Sequence, residues 1–421
     1  MVKKGYKQTE IGVIPEDWAI KYLSDFGKVQ GGGTPSTTMA DYWGGDIAWC
    51  TPSDITSAPT KYINATERAI TDLGLKNSAA TVMPAGSILL CTRATIGELK
   101  INSIPMATNQ GFKNIAINKG GNVDFLYYLL QTKKDRMLEL AIGSTFLEIS
   151  KTALCKIPLQ TPMHSDEQSK IADALSDIDS LVEVLENQIS KKKAIKQGAM
   201  QELLTGKRRL PGFSGEWETF VFGDLFDFIS NNAFTRAQLS DSGKVKNIHY
   251  GDILTKFGAY ISADSNEIPY IEREIDLSRF AEKSYLQSGD IVIADTAEDE
   301  TVGKALEVIN VECPVLAGQH TLLCRPKVRF SEKFLGYYLN AACYHDQLLP
   351  FIVGTKVSSI SKASVAQTRL AMPKYEEQQA ISCILSDMDD DITELEKKLA
   401  KYRQIKQGMM QQLLTGKIRL V

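Results

Sequence analysis

Histidine is scarce in this chain: four residues, His164, His249, His320 and His345, are dispersed over 421 positions, so no zinc centre and no other metal site is expected. The seven cysteines (Cys50, Cys91, Cys155, Cys313, Cys324, Cys343, Cys383) stand singly, without a Cys-x-x-Cys pair. They are expected to be buried thiols rather than a disulfide framework or metal ligands. No stretch approaches the roughly 18 consecutive apolar residues of a membrane span, and Met1 to Tyr6 leads into no signal-peptide apolar core. A cytoplasmic protein without membrane contact is the expectation. Neither sign of charge prevails: 48 Lys and Arg against 51 Asp and Glu leave −3, which excludes coating nucleic acid by charge alone and leaves room for a local basic surface. Gly 30 and Pro 14 give no low-complexity bias, and the length asks for two or three folded units.

What the chain does have is an internal repeat. Glu167 to Leu210 matches Glu377 to Leu420 without a gap at a constant offset of 210, with roughly half the positions identical. Anchors are Leu175-Ser176-Asp177 with Leu385-Ser386-Asp387, Ile195-Lys196-Gln197-Gly198 with Ile405-Lys406-Gln407-Gly408, and Leu203-Leu204-Thr205-Gly206-Lys207 with Leu413-Leu414-Thr415-Gly416-Lys417. Weaker echoes precede each copy at drifting offsets, among them Trp18 with Trp217, Gly86-Ser87-Ile88 with Gly289-Asp290-Ile291, and Tyr127-Tyr128-Leu129 with Tyr337-Tyr338-Leu339. The order is variable domain, fixed segment, variable domain, fixed segment. Its divisions are 1–163, 164–210, 211–373 and 374–421.

The fixed segments read as long helices. Ile381, Leu385, Met388, Ile392, Leu395, Leu399 and Tyr402 alternate in steps of four and three, as do Ile171, Leu175, Ile178, Val182, Leu185 and Ile189. This is the a/d seam of a coiled coil. Pro162 and Pro373 lie upstream and Gly206 and Gly416 downstream, as helix starts and stops do. Each copy is acidic early (Asp173, Asp177, Asp179, Glu183, Glu186; Asp387, Asp389, Asp390, Asp391) and basic late (Lys191, Lys192, Lys193, Lys196; Lys397, Lys398, Lys401, Arg403, Lys406). Only an antiparallel pair sets acid against base along its length. Gly198 and Gly408 fall inside the pattern at about 1 kcal/mol each, which predicts a close approach of another backbone there.

The variable domains alternate short β-branched runs, such as Ser87 to Cys91 and Asp290 to Ala294, with polar loops, and a helix is expected to close each around Phe125 to Leu140 and Phe334 to Leu349. The fold class is α/β: two similar globular domains separated by two long helices pairing as an antiparallel coiled coil, with a pseudo-twofold internal repeat.

Catalytic motifs are missing. The Thr-Gly-Lys triplets lack the upstream glycine of a P-loop, and Gly31-Gly32-Gly33-Thr34-Pro35 lacks dinucleotide-loop spacing and reads as a tight surface loop. Gly-x-Ser-x-Gly and His-Glu-x-x-His do not occur. The absence of adjacent prolines removes the Asn/Asp-Pro-Pro-aromatic tetrapeptide of amino-methyltransferases. Glu396-Lys397-Lys398 matches a nuclease Glu-x-Lys but lies on a helix face, and Asp295, Glu298, Asp299 and Glu300 read as a solvated loop before a metal site. No catalytic residue is assigned.

Tyr6-Lys7-Gln8-Thr9-Glu10-Ile11-Gly12-Val13-Ile14-Pro15-Glu16-Asp17-Trp18, then Gly32-Gly33-Thr34-Pro35, Asn109-Gln110-Gly111-Phe112, Glu167-Gln168 opening a helix, and Leu203 to Lys207 followed by Arg209-Leu210-Pro211-Gly212-Phe213, stand in an order that resembles the specificity subunits of Type I restriction-modification systems. The resemblance spans essentially the whole chain. It implies two target recognition domains, each reading one half of a split, asymmetric site in double-stranded DNA, and two helices acting as a ruler. It also implies docking of two methyltransferase subunits, which carry S-adenosylmethionine for adenine methylation, and of restriction subunits in the full complex, while this chain itself is noncatalytic and needs no cofactor.

Base readout falls to side chains that reach base edges. The candidates are Thr34, Ser36, Thr37, Arg93, Asn109 and Gln110 in the first domain and Asn231, Asn232, Thr235, Arg236, Lys256 and Lys356 in the second. Where the first reads Thr92-Arg93-Ala94 the second reads Asp295-Thr296-Ala297, so the half-sites are expected to differ. Leu203, Leu204, Leu413 and Leu414 exceed what the seam needs and are expected to face a partner. The competing readings are a coiled-coil adaptor for other partners and an autonomous enzyme.

Overall fold

A computed structural model of the protein describes residues 4–143, 147–354 and 356–421. The chain forms two compact units: Met1–Asn187 with Glu396–Val421, and Gln188–Leu395. Both long helices are present, Ser165–Leu203 and Tyr375–Leu413, at 39 residues each, and each unit takes the early half of one and the late half of the other.

Charge orients the halves as expected. In the first unit Arg403 pairs with Glu186 at 2.7 Å and Lys406 with Asp179 at 2.5 Å; in the second Lys192 pairs with Asp391 and Lys196 with Asp389, each at 2.5 Å. One index rises as the other falls, so the pairing is antiparallel. Surface pairs of this kind, two of them half-buried, contribute about 0.2–1 kcal/mol each, enough to choose a direction but not to hold the helices. Burial holds them: Ile171, Leu175, Ile381 and Leu385 are essentially inaccessible, and Leu185, Ile189, Ile392 and Leu399 are buried. Gly206 and Gly416 end the helices at φ of +67° and +71°, which is why glycine closes both copies.

The globular parts share one topology. Five strands run in the order Gly27–Gly31, Lys113–Ile117, Ile88–Leu90, Leu99–Asn102, Tyr62–Ile63 in the first unit. The order is Phe226–Ile229, Thr321–Pro326, Ile291–Ala294, Ala305–Ile309, Tyr260–Ser262 in the second. All neighbours are antiparallel except the last pair. Beside it lies a smaller sheet, Ala107–Thr108, Trp43–Cys50, Arg68–Ile70 or Leu239–Ser240, Tyr270–Ile271, Lys246–Ile248, Val315–Ala317. A two-stranded pair, Trp18–Lys21 with Leu159–Pro162 or Glu218–Val221 with Arg369–Met372, leads into each long helix.

The closing helices are broken where single ones were expected. The first divides into Val123–Gln131 and Lys134–Glu139, because the Thr132 hydroxyl caps the Leu129 carbonyl at 2.7 Å. The second divides into Phe334–Leu339 and Ala342–His345, because the Asn340 amide turns out to the sheet, accepting from the Ala305 N–H at 3.0 Å and donating to its carbonyl at 2.6 Å.

The repeat reappears as matched polar knots. In the first unit the Tyr128 hydroxyl donates to Asp179 at 2.7 Å, beside Lys406; in the second Tyr337 donates to Asp389 at 2.6 Å, beside Lys196. Likewise Arg419 binds the buried Glu167 through two bonds of 2.6 and 2.8 Å, and Arg209 binds the buried Glu377 through two of 2.7 Å. Their guanidinium groups lie 5.9 Å from the rings of Trp18 and Trp217.

One buried acid makes the second unit sensitive to pH. Glu307 accepts backbone N–H bonds from Lys333 at 2.7 Å and Gly336 at 2.8 Å, yet burial pushes its carboxyl up to about 7. A carboxyl raised above its ordinary value stabilises the fold below the unfolded pKa and loses that contribution as pH rises through the folded one. The second unit is expected to lose on the order of 2 kcal/mol between pH 5 and pH 8, and Glu307→Gln to flatten that slope in chemical denaturation.

Candidate nucleic-acid interface

Four backbone hydrogen bonds recur in both units and align their loops residue by residue. Gly33 N–H donates to the Thr108 carbonyl at 2.9 Å and Asn232 N–H to that of Ala317 at 3.0 Å; Asn109 N–H donates to Cys50 at 3.2 Å and Gly318 N–H to Ile248 at 2.8 Å. Thr92 N–H donates to Gly111 at 2.8 Å and Asp295 N–H to His320 at 3.1 Å; Ile149 N–H donates to Thr92 at 3.0 Å and Ile360 N–H to Asp295 at 2.9 Å. Asn109-Gln110-Gly111 thus corresponds to Gly318-Gln319-His320, and Arg93 to Thr296. Two residues of this frame other than glycine, Ala94 and His320, hold φ of +62° and +56°. Such left-handed backbone costs about 1 kcal/mol and gathers at functional sites.

In the first unit the glycine-rich loop is built by close approach. A side chain on Gly32 would start 2.1 Å from the Asn109 carbonyl oxygen, and one on Gly33 2.3 Å from Ala79. Two indoles pin the loop backbone: Trp49 Nε1 donates to the Gly33 carbonyl at 2.9 Å and Trp43 Nε1 to that of Ser36 at 3.1 Å. Thr34 is exposed and its hydroxyl donates to Gln110 Oε1; Ser36 and Thr37 are exposed next to it. Asn109 Oδ1 accepts the Gly111 N–H at 2.8 Å, so that side chain shapes the loop, and the Arg93 Cβ lies 3.7 Å from where a side chain on Gly111 would begin. Thr34, Arg93, Asn109 and Gln110 are therefore neighbours, although 76 positions separate the first from the last. Sequence reasoning missed the exposed Arg68, whose guanidinium stacks 3.6 Å from the Trp43 ring centre.

In the second unit the candidates separate. Asn231 Nδ2 donates to the Gly318 and Thr321 carbonyls at 3.1 and 2.6 Å; Asn232 is 5% exposed and donates to Asn247 Oδ1 at 2.7 Å. Both amides hold the loop, and Asn232 is buried while Asn231 is partly accessible. Thr235 is exposed and opens a short helical turn, its hydroxyl 3.2 Å from Gln238 Oε1. Arg236 and Lys256, both half-exposed, meet on Asp252 at 2.7 and 3.1 Å beside an open groove of about 790 Å³. Burial raises the Asp252 carboxyl, but the bond from Arg236 and the charge of Lys256 outweigh it and hold the group below the usual range. Lys356 is exposed near Ser358–Ser359, the strand that pairs with Thr296–Ala297.

An aromatic ladder that the sequence did not announce joins these parts. The Arg236 guanidinium lies 3.4 Å from His249 Nδ1, His249 and Tyr250 have ring centres 4.7 Å apart, and Tyr250 meets His320 edge to face at 5.3 Å. Burial, with the charge of Arg236, holds His249 below its ordinary value, and its Nδ1 accepts the Gly251 N–H at 3.1 Å. The exposed His320 lies 3.3 Å from the Thr296 hydroxyl and 3.7 Å from Asp295. The acids beyond Asp295 form a loop in which Asp299 caps the Thr301 N–H at 2.9 Å.

The four leucines are not at a surface. Leu203 and Leu204 are 5% and 1% exposed in the core of the second unit, and Leu413 and Leu414 are 5% and 0% exposed in that of the first. Their apolar area is already used by the chain's own packing, which displaces the partner contact expected of them. Gly198 and Gly408 show the opposite: a side chain on either meets no atom within 4 Å, so no backbone of the described residues approaches there. Ile195 and Ile405, one turn earlier, are 60% and 39% exposed. Of the cysteines, Cys50, Cys91 and Cys324 are buried as expected, whereas Cys343 and Cys383 are exposed. Among the described residues no helix is long and apolar enough to cross a membrane.

The family model described as Type I restriction modification DNA specificity domain matches residues 15–194 and 214–407. The MjaIX specificity subunit of Methanocaldococcus jannaschii, a Type I restriction enzyme subunit, is 43% identical over 180 residues, which span 42% of this chain and 41% of that relative. The MjaVIII specificity subunit of the same organism is 22% identical over 97% of this chain and 94% of its own. The crystal structure of a Type I restriction-modification S subunit from M. genitalium superposes with a TM-score of 0.57 at 14% identity, covering 94% of this chain and 96% of that one. A chain from a study of complex assembly and conformational transition in the type I R-M system superposes at 0.58 and 15% identity, covering 96% and 99%. At these identities the two structures establish the fold.

Proposed function

The chain belongs to the family of Type I restriction-modification DNA specificity subunits, and from that premise we propose that it selects the DNA site for its partners without catalysing a reaction itself. Each globular part, 1–163 and 211–373, is a target recognition domain that reads one half of a bipartite, asymmetric sequence in double-stranded DNA. The observation that carries this reading is the matched loop frame: one scaffold, built twice, displays Arg93 where the other copy has Thr296, and His320 where the other has the bare backbone of Gly111. Two copies of a scaffold with different side chains suit two half-sites with different bases, since base edges specify where phosphates only position.

Within the segments 164–210 and 374–421, the long helices Ser165–Leu203 and Tyr375–Leu413 set the gap between the half-sites, each about 60 Å long at 1.5 Å per residue. They also dock two methyltransferase subunits, which bring S-adenosylmethionine, and restriction subunits complete the assembly. The docking face is the duplicated patch Ile195 and Gly198 with Ile405 and Gly408, in which both isoleucines are exposed and a Cβ on either glycine would meet no atom within 4 Å. A cytoplasmic location fits partners that act on chromosomal DNA.

Arg93→Ala is expected to relax one half-site alone. In the methyltransferase complex, methylation should spread to duplexes altered at one position of that half while the other half stays selective. A single guanidinium lost from a base edge reduces discrimination by roughly 10-fold. Methylation unchanged at every position removes Arg93 from the reading set.

A further inference from the structure

The matched loops also carry a polar side chain that does not differ, beside the apolar identities Ala94 with Ala297 and Ile149 with Ile360. Gln110 and Gln319 occupy the same position in the frame, between the N–H of Asn109 or Gly318 and the carbonyl of Gly111 or His320. Around them the aligned pairs change in size or chemistry: Asn109 to Gly318, Gly111 to His320, Arg93 to Thr296, Thr34 to Ala233. Both glutamines are solvent-accessible, so the identity is not imposed by packing.

Each is also held by one neighbour and left with at least one donor and one acceptor unused. Gln110 Oε1 accepts from the Thr34 hydroxyl, leaving a lone pair on that oxygen and two N–H groups. Gln319 Nε2 lies 3.2 Å from His320 Nε2, leaving one N–H and the whole carbonyl oxygen. One donor and one acceptor on a planar amide, steadied from the side, are what adenine requires in the major groove, where N6 donates and N7 accepts. Guanine offers two acceptors at that edge and cytosine one donor, so neither uses both halves of the amide.

We propose that Gln110 and Gln319 each read an adenine, the base that the two half-sites have in common, while Arg93 and His320 stand where the half-sites differ. The assignment rests on the DNA-reading function proposed above and adds the base class read at one position of each unit. Gln110 and Gln319 are readout residues and take no part in chemistry.

The test uses the whole chain in complex with its methyltransferase subunits. Methyl transfer is measured as kcat/KM on duplexes in which each base pair of the methylated motif is replaced in turn. Gln110→Ala should abolish discrimination, roughly 5- to 150-fold in the unaltered complex, at one A·T pair of one half-site and leave the other half intact. Gln319→Ala should do the same at one A·T pair of the other half. Gln110→Glu, which keeps the size and loses the amide donors, should behave like Gln110→Ala, and 7-deazaadenine at the assigned position should slow the unaltered complex but not the alanine variant. Discrimination lost at a G·C pair, or a uniform loss at every position as a structural role would give, overturns the assignment while sequence-directed methylation by the unaltered complex keeps the function. An unaltered complex that methylates every duplex alike overturns both.

Discussion

Replacing Arg419 by methionine is expected to destabilise the first unit by about 4 kcal/mol, because it leaves the buried carboxylate of Glu167 without its cation. Glu167 is 3% exposed and accepts two bonds from Arg419 and one of 3.1 Å from the indole of Trp18, itself wholly buried. Arg419 also binds Asp17 through two bonds of 2.8 and 2.6 Å, and the hydrogen bonds to Glu167 and then Asp17 hold the guanidinium above its ordinary value. A methionine of similar length keeps the packing over Trp18 but leaves two carboxylates to repel each other. For a unit of this size the thermal midpoint should fall by roughly 10 °C. Arg209→Met should act on the second unit in the same direction but less, since Arg209 binds one carboxylate, Glu377, and the carbonyl of Gly215, and Trp217 is only half-buried. Equal losses in calorimetry would show that Asp17 adds nothing.

Leucine at both Gly198 and Gly408 is expected to abolish co-purification with the methyltransferase subunits while leaving the chain folded. A Cβ on either glycine meets nothing within 4 Å, so a side chain starts there into open space. Each glycine instead costs its helix about 1 kcal/mol relative to alanine, so the thermal midpoint should rise. A residue that weakens the isolated helix in both copies and is used by neither core is explained by a partner that approaches the bare backbone. Replacing Leu413 or Leu414 by a charged residue would report on something else, since it drives a charge into the core of the first unit. Undiminished co-purification of the double leucine variant, measured by affinity capture of the complex, would move the docking face elsewhere.

The helices were legible in the sequence because their signals are local: an apolar seam at steps of four and three, and an acidic half followed by a basic half at a fixed offset of 210. Which surfaces cover each face was not. Leu413 and Leu414 looked surplus because the side chains that bury them, among them Trp18, lie almost 400 residues away in sequence. Periodicity reports a face and not its cover. For Gly198 and Gly408 a helix glycine signals close approach without saying whether the approaching backbone belongs to the same chain, and none of the described residues supplies it.

The candidate site was half legible for a similar reason. Thr34, Arg93, Asn109 and Gln110 were singled out by chemical type and do lie together. Asn231 and Asn232 share that chemistry, but their amides satisfy buried backbone and side-chain groups, which composition cannot separate from readout. Gln319, His320 and the ladder through Tyr250 were missed because the offset between the domains drifts from 199 to 210, so equivalence had to be read from shared hydrogen bonds. The glutamine identity at an offset of 209 was the available signal.

The most direct test of the central claim is single-molecule sequencing of DNA modification in cells that express this chain with its neighbouring methyltransferase, against cells that lack this chain alone. Methyladenine in a split motif with a fixed gap is expected in the first, and its disappearance in the second. Identical methylation in both would mean that this chain does not direct the enzyme.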